Sequence, residues 1–194
     1  CRKVSVGKSA LNRDLWALKI TSNPDVPADK PKFKYISTMH GHEPVGTEMC
    51  LYLIDRLLTG FATNDARIVN LVTNVEIWFL PLMNPDGRES NPPQRYNANG
   101  YDLNRSFPEG ATGNMGNFLY GPPLDTNGLQ PEVRAVMVWT ATNHFTLGAN
   151  LHSGELVVNY PYDNDGLGSV FSPSPDEALF QVMSRAYSSN NPPM

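Results

Sequence analysis

A chain of 194 residues with a 40 % hydrophobic share is long enough to build one sizeable core. Its net charge of −4 and its lack of any long basic run exclude electrostatic capture of nucleic acid or of an anionic membrane. No window holds the roughly eighteen apolar residues of a membrane span. The opening CRKVSVGKSALNRDLW has neither an initiator Met nor an apolar signal core, so the chain is expected to start inside a longer product. Cys1 and Cys50 leave a disulfide and two free thiols equally open.

In chain order, DLWALKI (14–20) and KFKYISTM (32–39) carry β-branched and aromatic residues around a Pro/Asp-rich turn and predict a pair of strands. From Pro44 to about Thr59, Val45, Met49, Leu53, Ile54, Leu57 and Leu58 recur at helical spacing, with Pro44 suited to a first turn and Gly60 to a stop. Residues 64–73 predict a short helix, and VEIWFLPLM (75–83) a buried central strand. The stretch 84–130, rich in Asn, Pro and Gly, predicts a long functional loop. A helix over 131–143 with Val133, Val136, Met137 and Trp139 or Thr140 inward comes next. The strands FTLGANLH and LVVNYPY follow, then a helix within SPDEALFQVMSRAYSS. Alternating strands and helices predict one α/β domain spanning 1–194, with a mixed, mostly parallel twisted sheet and helices on both faces.

Chemistry concentrates at STMHGHEPVG. His40 ends a strand and Glu43 opens a helix, so the turn between them can bring an imidazole and a carboxylate to one point, half of a zinc site. His42 competes for the imidazole role and is otherwise left facing substrate. Alone, H-x-x-E reads more readily as a surface His, with Glu43 favouring a helix N-terminus. His152, at the end of another predicted strand, changes that balance, because strand C-termini in an open α/β sheet converge on one crevice. His144, at a helix C-terminus, reads as structural. In the middle loop, Arg95 and the pair Asn104-Arg105 suggest an anion pocket, against the alternative of arginines paired with Asp86, Glu89 or Asp102.

Six stretches, GKSALNRDLWALKI, MHGHEPVGTEM, PLMNPDGRE, RYNANGYDLNRSFP, PEVRAVMVW and ANLHSGELVVNYPYD, together resemble the zinc metallocarboxypeptidases. They are nearest the regulatory branch that includes carboxypeptidases E, N, M and D. The resemblance implies one Zn2+ held by His40, Glu43 and His152. It also implies Arg95 polarising the scissile carbonyl, Asn104 and Arg105 clamping a free C-terminal carboxylate, and Asp163 facing a departing Lys or Arg side chain.

By the same resemblance the chain is the N-terminal and central part of a catalytic domain, incomplete at both ends, with its general-base glutamate beyond Met194. Glu155 is a tempting substitute base, expected to face away at the start of a strand. The implied activity is exopeptidase cleavage at the C-termini of peptides or proteins, in a secretory or extracellular setting. Two other readings stand beside it: a catalytically silent carboxypeptidase-like zinc-binding protein, and a zinc amidohydrolase acting on small N-acyl amino acids.

Overall fold

The computed structural model describes residues 1–107, 128–161 and 173–191. The chain divides into two compact units, one formed by residues 1–107 and 123–153 and the other by 108–122 and 154–194. In the first unit five strands form one sheet: β1 (Arg2–Lys8), β2 (Asp14–Ile20), β3 (Lys32–Ser37), β4 (Glu76–Leu80) and β5 (Leu147–Leu151), in the spatial order β1-β2-β4-β3-β5. The sheet is mixed. β3 pairs in parallel with β4 and β5, whereas β2 pairs antiparallel with β1 and β4.

The apolar run 75–83 does become the central strand, and all five residues of β4 are buried. Its burial on both faces follows from the helices. On one side, α1 (Val45–Ala62) and α2 (Ala66–Asn74) bring Ile54, Leu57, Ile68 and Val72 against Ile20, Ile77 and Phe79. Tyr35 stacks on Phe79 there at 5.3 Å between ring centroids. On the other side, Trp78 meets Trp139 of α4 (Pro131–Asn143) edge-on at 6.0 Å. Lys34, beside Trp78 in the ladder, donates from Nζ to Thr140 Oγ1 at 2.7 Å, and Lys32 Nζ donates to Asn143 O at 2.9 Å. Both lysines thus serve the C-terminal turn of α4, where unpaired carbonyls and the helix dipole favour a cation.

Several expectations change. β2 and β3 do not pair with each other: the more apolar β4 lies between them, and β2 forms its hairpin with β1, a strand the sequence reading had not singled out. α1 does not stop at Gly60 but runs to Ala62, and Val45, Met49 and Leu58 face out. Its buried side is Gly46, Cys50, Ile54, Leu57 and Gly60. The reason is distance. A Cβ on Gly46 would lie 2.1 Å from Ser37 Oγ, so the helix lies against β3 where only glycine fits, and the apolar stripe rotates to suit. Cys1 and Cys50 are both free, the first exposed and the second buried.

The described part of the second unit holds α5 (Glu177–Ser189), the helix expected there. Tyr160 stacks on Phe180 at 5.7 Å and donates to Glu177 Oε1 at 3.1 Å. LVVNYPY was expected to be a strand, yet residues 155–160 have no regular structure and Leu156 and Val157 are exposed. Among the described residues these positions have no ladder partner, and a strand requires one.

Phe79→Ala should lower unfolding stability by about 3–5 kcal/mol in urea titration, since this fully buried ring fills the centre of the sheet. A second expectation concerns pH. Burial pushes the Lys34 amine down to about 8 from 10.5, so the unfolded chain holds that proton after the folded one has released it, and stability rises with pH above 8. Burial pushes the Cys50 thiol up from 9.0 to about 11, which acts in the opposite sense above pH 9. Between pH 8 and 9 the denaturation midpoint of the native chain should therefore climb relative to that of Lys34→Met.

Candidate metal centre

The turn after β3 is built by a few specific residues. Thr38 takes φ +50°, swinging the chain away from the sheet, and its buried hydroxyl bonds to Glu43 O at 2.9 Å and Thr47 Oγ1 at 2.7 Å. The Glu43 N–H donates to His40 O at 3.0 Å, closing the turn. Gly41 between them is obligatory: a Cβ there would lie 2.3 Å from Gly87 C and 2.4 Å from Arg88 N. The fully buried Asn84 fastens that contact. Its Nδ2 donates to Met39 O at 3.2 Å and Arg95 O at 3.3 Å, and its Oδ1 accepts from Gly87 N at 2.8 Å. One amide thus ties together the His40 turn, the short helix α3 (Pro85–Arg88) and the Arg95 segment.

Parallel pairing of β3 with β5 does the rest. Ser37 is opposite Leu151, so the next residue of the second strand, His152, comes up beside the turn. His40 Nδ1 faces Glu43 Oε1 at 2.9 Å, and His152 Nδ1 faces Glu43 Oε2 at 3.1 Å. The Ser153 N–H also donates to Oε2 at 3.1 Å. One donor atom from each of His40, Glu43 and His152 lies within 4.8 Å of the others. Burial alone would raise the Glu43 pKa, but the Ser153 N–H and the two imidazoles outweigh it and hold the carboxyl below its usual range. Two imidazole nitrogens and a carboxylate oxygen, brought together from the turn after β3 and the end of β5, form the N2O donor set that zinc accepts.

Asp102, which sequence reasoning named only as a possible partner for the arginines, proves central. Its Oδ1 is 3.1 Å from His40 Nε2, and its Oδ2 accepts from Arg95 Nε at 2.9 Å. Burial would raise its pKa, and the Arg95 bond, the Asn104 N–H and the nearby charges bring it below the ordinary carboxylate value. A carboxylate on the far nitrogen of His40 orients the ring and leaves Nδ1 to the shared point. Arg95 is half-buried, with Nη1 3.5 Å from His40 Nδ1. The arginine alternative therefore holds in part: Arg95 does pair with Asp102, and that pair borders the cluster.

Asn104 and Arg105 occupy a 3-10 turn (Leu103–Arg105) capped by the Asp102 side chain, and both are exposed. The Arg105 Nη1 donates to Asn104 O at 3.1 Å. His42 is exposed, its ring centroid 6.2 Å from that of His40. His144 caps the C-terminus of α4 in a left-handed conformation, a structural position as expected. Glu155 is exposed and lies in no strand. Asp163 falls outside the described residues.

The family model "Zinc carboxypeptidase" matches residues 1–194. The chain belongs to the zinc carboxypeptidase family. Carboxypeptidase D of Anas platyrhynchos is 44 % identical over 204 residues, covering 100 % of this chain and 14 % of that protein. Carboxypeptidase M of Mus musculus is 40 % identical, covering 98 % of this chain and 43 % of the relative. The carboxypeptidase N catalytic chain of Homo sapiens is 38 % identical, covering 96 % and 46 %. The chain thus spans less than half the length of each of these relatives. Among solved structures, the carboxypeptidase A of Helicoverpa armigera superposes with a TM-score of 0.73 at 23 % identity, covering 97 % of this chain and 48 % of that one, which shows the fold. The family's cofactor is one Zn2+, and the His40, Glu43 and His152 cluster of this member has the donor set to take it. Among the described residues no helix is long and apolar enough to cross a membrane.

Asp102→Asn should weaken zinc affinity by about 10–100-fold in a chelator-competition titration while the chain stays folded, because the amide can no longer anchor the far nitrogen of His40 as a carboxylate does.

Proposed function

We propose that the protein is a zinc-dependent exopeptidase that hydrolyses the C-terminal peptide bond of peptides or proteins, with a preference for C-terminal Lys or Arg. The observation that carries the proposal is the junction of the metal-ligating cluster with the Asp102–Arg95 pair: His40 takes part in both. His40, Glu43 and His152 would hold the metal. Bound zinc supplies Lewis acidity and a lowered pKa for coordinated water.

The rest falls to the chain's own side chains. Asp102 holds the His40 ring and, through Nε, the plane of the Arg95 guanidinium. The terminal N–H groups of Arg95 are then set beside the cluster, where a scissile carbonyl would gain negative charge. Asn104 and Arg105 follow two and three residues after Asp102, and their exposed amide and guanidinium suit a free carboxylate. Such a clamp selects chain ends, because an internal peptide bond would leave a charged donor desolvated and unpaired. Asp163 would select a basic departing side chain, and the family resemblance puts the general-base carboxylate further along the protein. A secretory or extracellular setting accords with the carboxypeptidase D, M and N relatives.

The test uses the full-length protein. Acylated dipeptides ending in Arg or Lys should be cleaved, a chelator should abolish the release and zinc should restore it. The amidated counterparts should lose at least roughly 10²-fold in kcat/KM. Arg95→Ala should lower kcat by about 10²–10³-fold with zinc still bound. Zinc binding with no turnover of any peptide would instead establish the silent binding protein. Turnover of acyl-aspartate with none of peptides ending in Arg would establish the amidohydrolase.

A further inference from the structure

A cavity of about 190 Å³ opens at the other end of the strands from the metal-ligating cluster. It is lined by the first residues of β3 and β4, Lys32 and Glu76, together with Lys19, Trp78, Arg2 and Asp25. β3 spans roughly 17 Å between Lys32 and Ser37, and His40 lies beyond it, so whatever enters this cavity does not touch the catalytic cluster. We propose that the cavity is a second binding site, for a tetrahedral oxyanion: a phosphate or sulfate group, free or as an ester.

The charges favour an anion. Three cations, Arg2, Lys19 and Lys32, face two carboxylates, and the carboxylates are unequally available. Glu76, 2 % exposed, is committed on both oxygens: Oε1 pairs with Lys19 Nζ at 2.9 Å and Oε2 accepts from Trp78 Nε1 at 3.3 Å. Asp25 only approaches Arg2, at 3.7 Å, and both side chains are more than half exposed. Lys32 has a neutral partner, the Asn143 carbonyl, so its charge is solvated but not cancelled. An ammonium has three donors and a guanidinium five, so Lys32 and Arg2 keep N–H groups to offer.

The cavity is also shaped. Trp78, 7 % exposed, forms one wall, and the turn carrying Pro24 and Pro27 forms another. Its volume equals the liquid share of about six waters, room for one oxyanion with part of its hydration shell. Arg2, Lys19 and Lys32 bring donors from three strands, β1, β2 and β3, and the four oxygens of a tetrahedral oxyanion can accept from more of them than the two of a carboxylate.

The experiment is a titration of the full chain, at constant ionic strength, with inorganic phosphate in one arm and a sulfated disaccharide in the other. Binding is followed by amide chemical shifts. Lys32→Gln with Arg2→Gln keeps hydrogen-bonding side chains and removes the two charges that have N–H groups to offer, and Arg67→Gln on the exposed face of α2 serves as a remote control. Saturable shifts of the Lys32 and Glu76 amides that weaken at least tenfold in the double variant and not in the control are expected. Such a result in the phosphate arm identifies a free ion, and in the disaccharide arm alone an ester group. Absence of saturation in both arms, or equal weakening by Arg67→Gln, overturns the proposal.

Discussion

The Glu43 carboxylate is the point on which the first unit's chemistry turns. It accepts from the backbone of Ser153 and faces the imidazoles of His40 and His152, so it joins the turn after β3 to the end of β5. A carboxylate buried this deeply is costly unless every oxygen is satisfied, and here both are. His40 is a near neighbour in sequence, whereas His152 and Ser153 follow 109 and 110 positions later, and two parallel strands bring the two stretches side by side. Once the register Ser37 opposite Leu151 is set, the first residues beyond both strands share one location.

Around that carboxylate, neutral polar groups fix backbone and charged ones tune chemistry. Asn84 uses both ends of its amide on three separate segments, which brings the Gly87 and Gly41 backbones into contact. Asp102 does the corresponding work for side chains, with one oxygen on His40 and the other on Arg95. Breaking either group would leave buried partners unpaired, a larger cost than the bond itself. A carboxylate with comparable cohesion stabilises the opposite face: Glu132, fully buried in α4, accepts from Ala10 N at 2.9 Å and Asn97 Nδ2 at 3.0 Å. It tethers the β1–β2 connection and the middle loop to one helix.

Motif and period were legible where local physics governs. The central strand, the helices over 45–62, 66–74, 131–143 and 177–189, and the His-x-x-Glu turn could all be read from apolar runs, helical spacing and turn residues. Strand partners could not. β1 is too polar to advertise itself, and it forms because β2 offers an edge. The buried side of α1 could not be read either, because glycines gave its closest approach, and a hydrophobicity count passes over glycine. Asp102 was hidden for a similar reason: an Asp before Leu-Asn-Arg reads as a turn cap, and it is one, through Asn104 N. Its second role depends on His40, sixty-two positions earlier.

By itself the sequence determined the family, the metal-ligand types and the order of most elements, since these follow from residue chemistry and short-range spacing. Only the tertiary structure decided which strand lies beside which, which helix face is buried, and that one carboxylate would link His40 to Arg95. Those outcomes rest on long-range packing and on satisfying buried polar groups, and no local window of sequence contains either constraint.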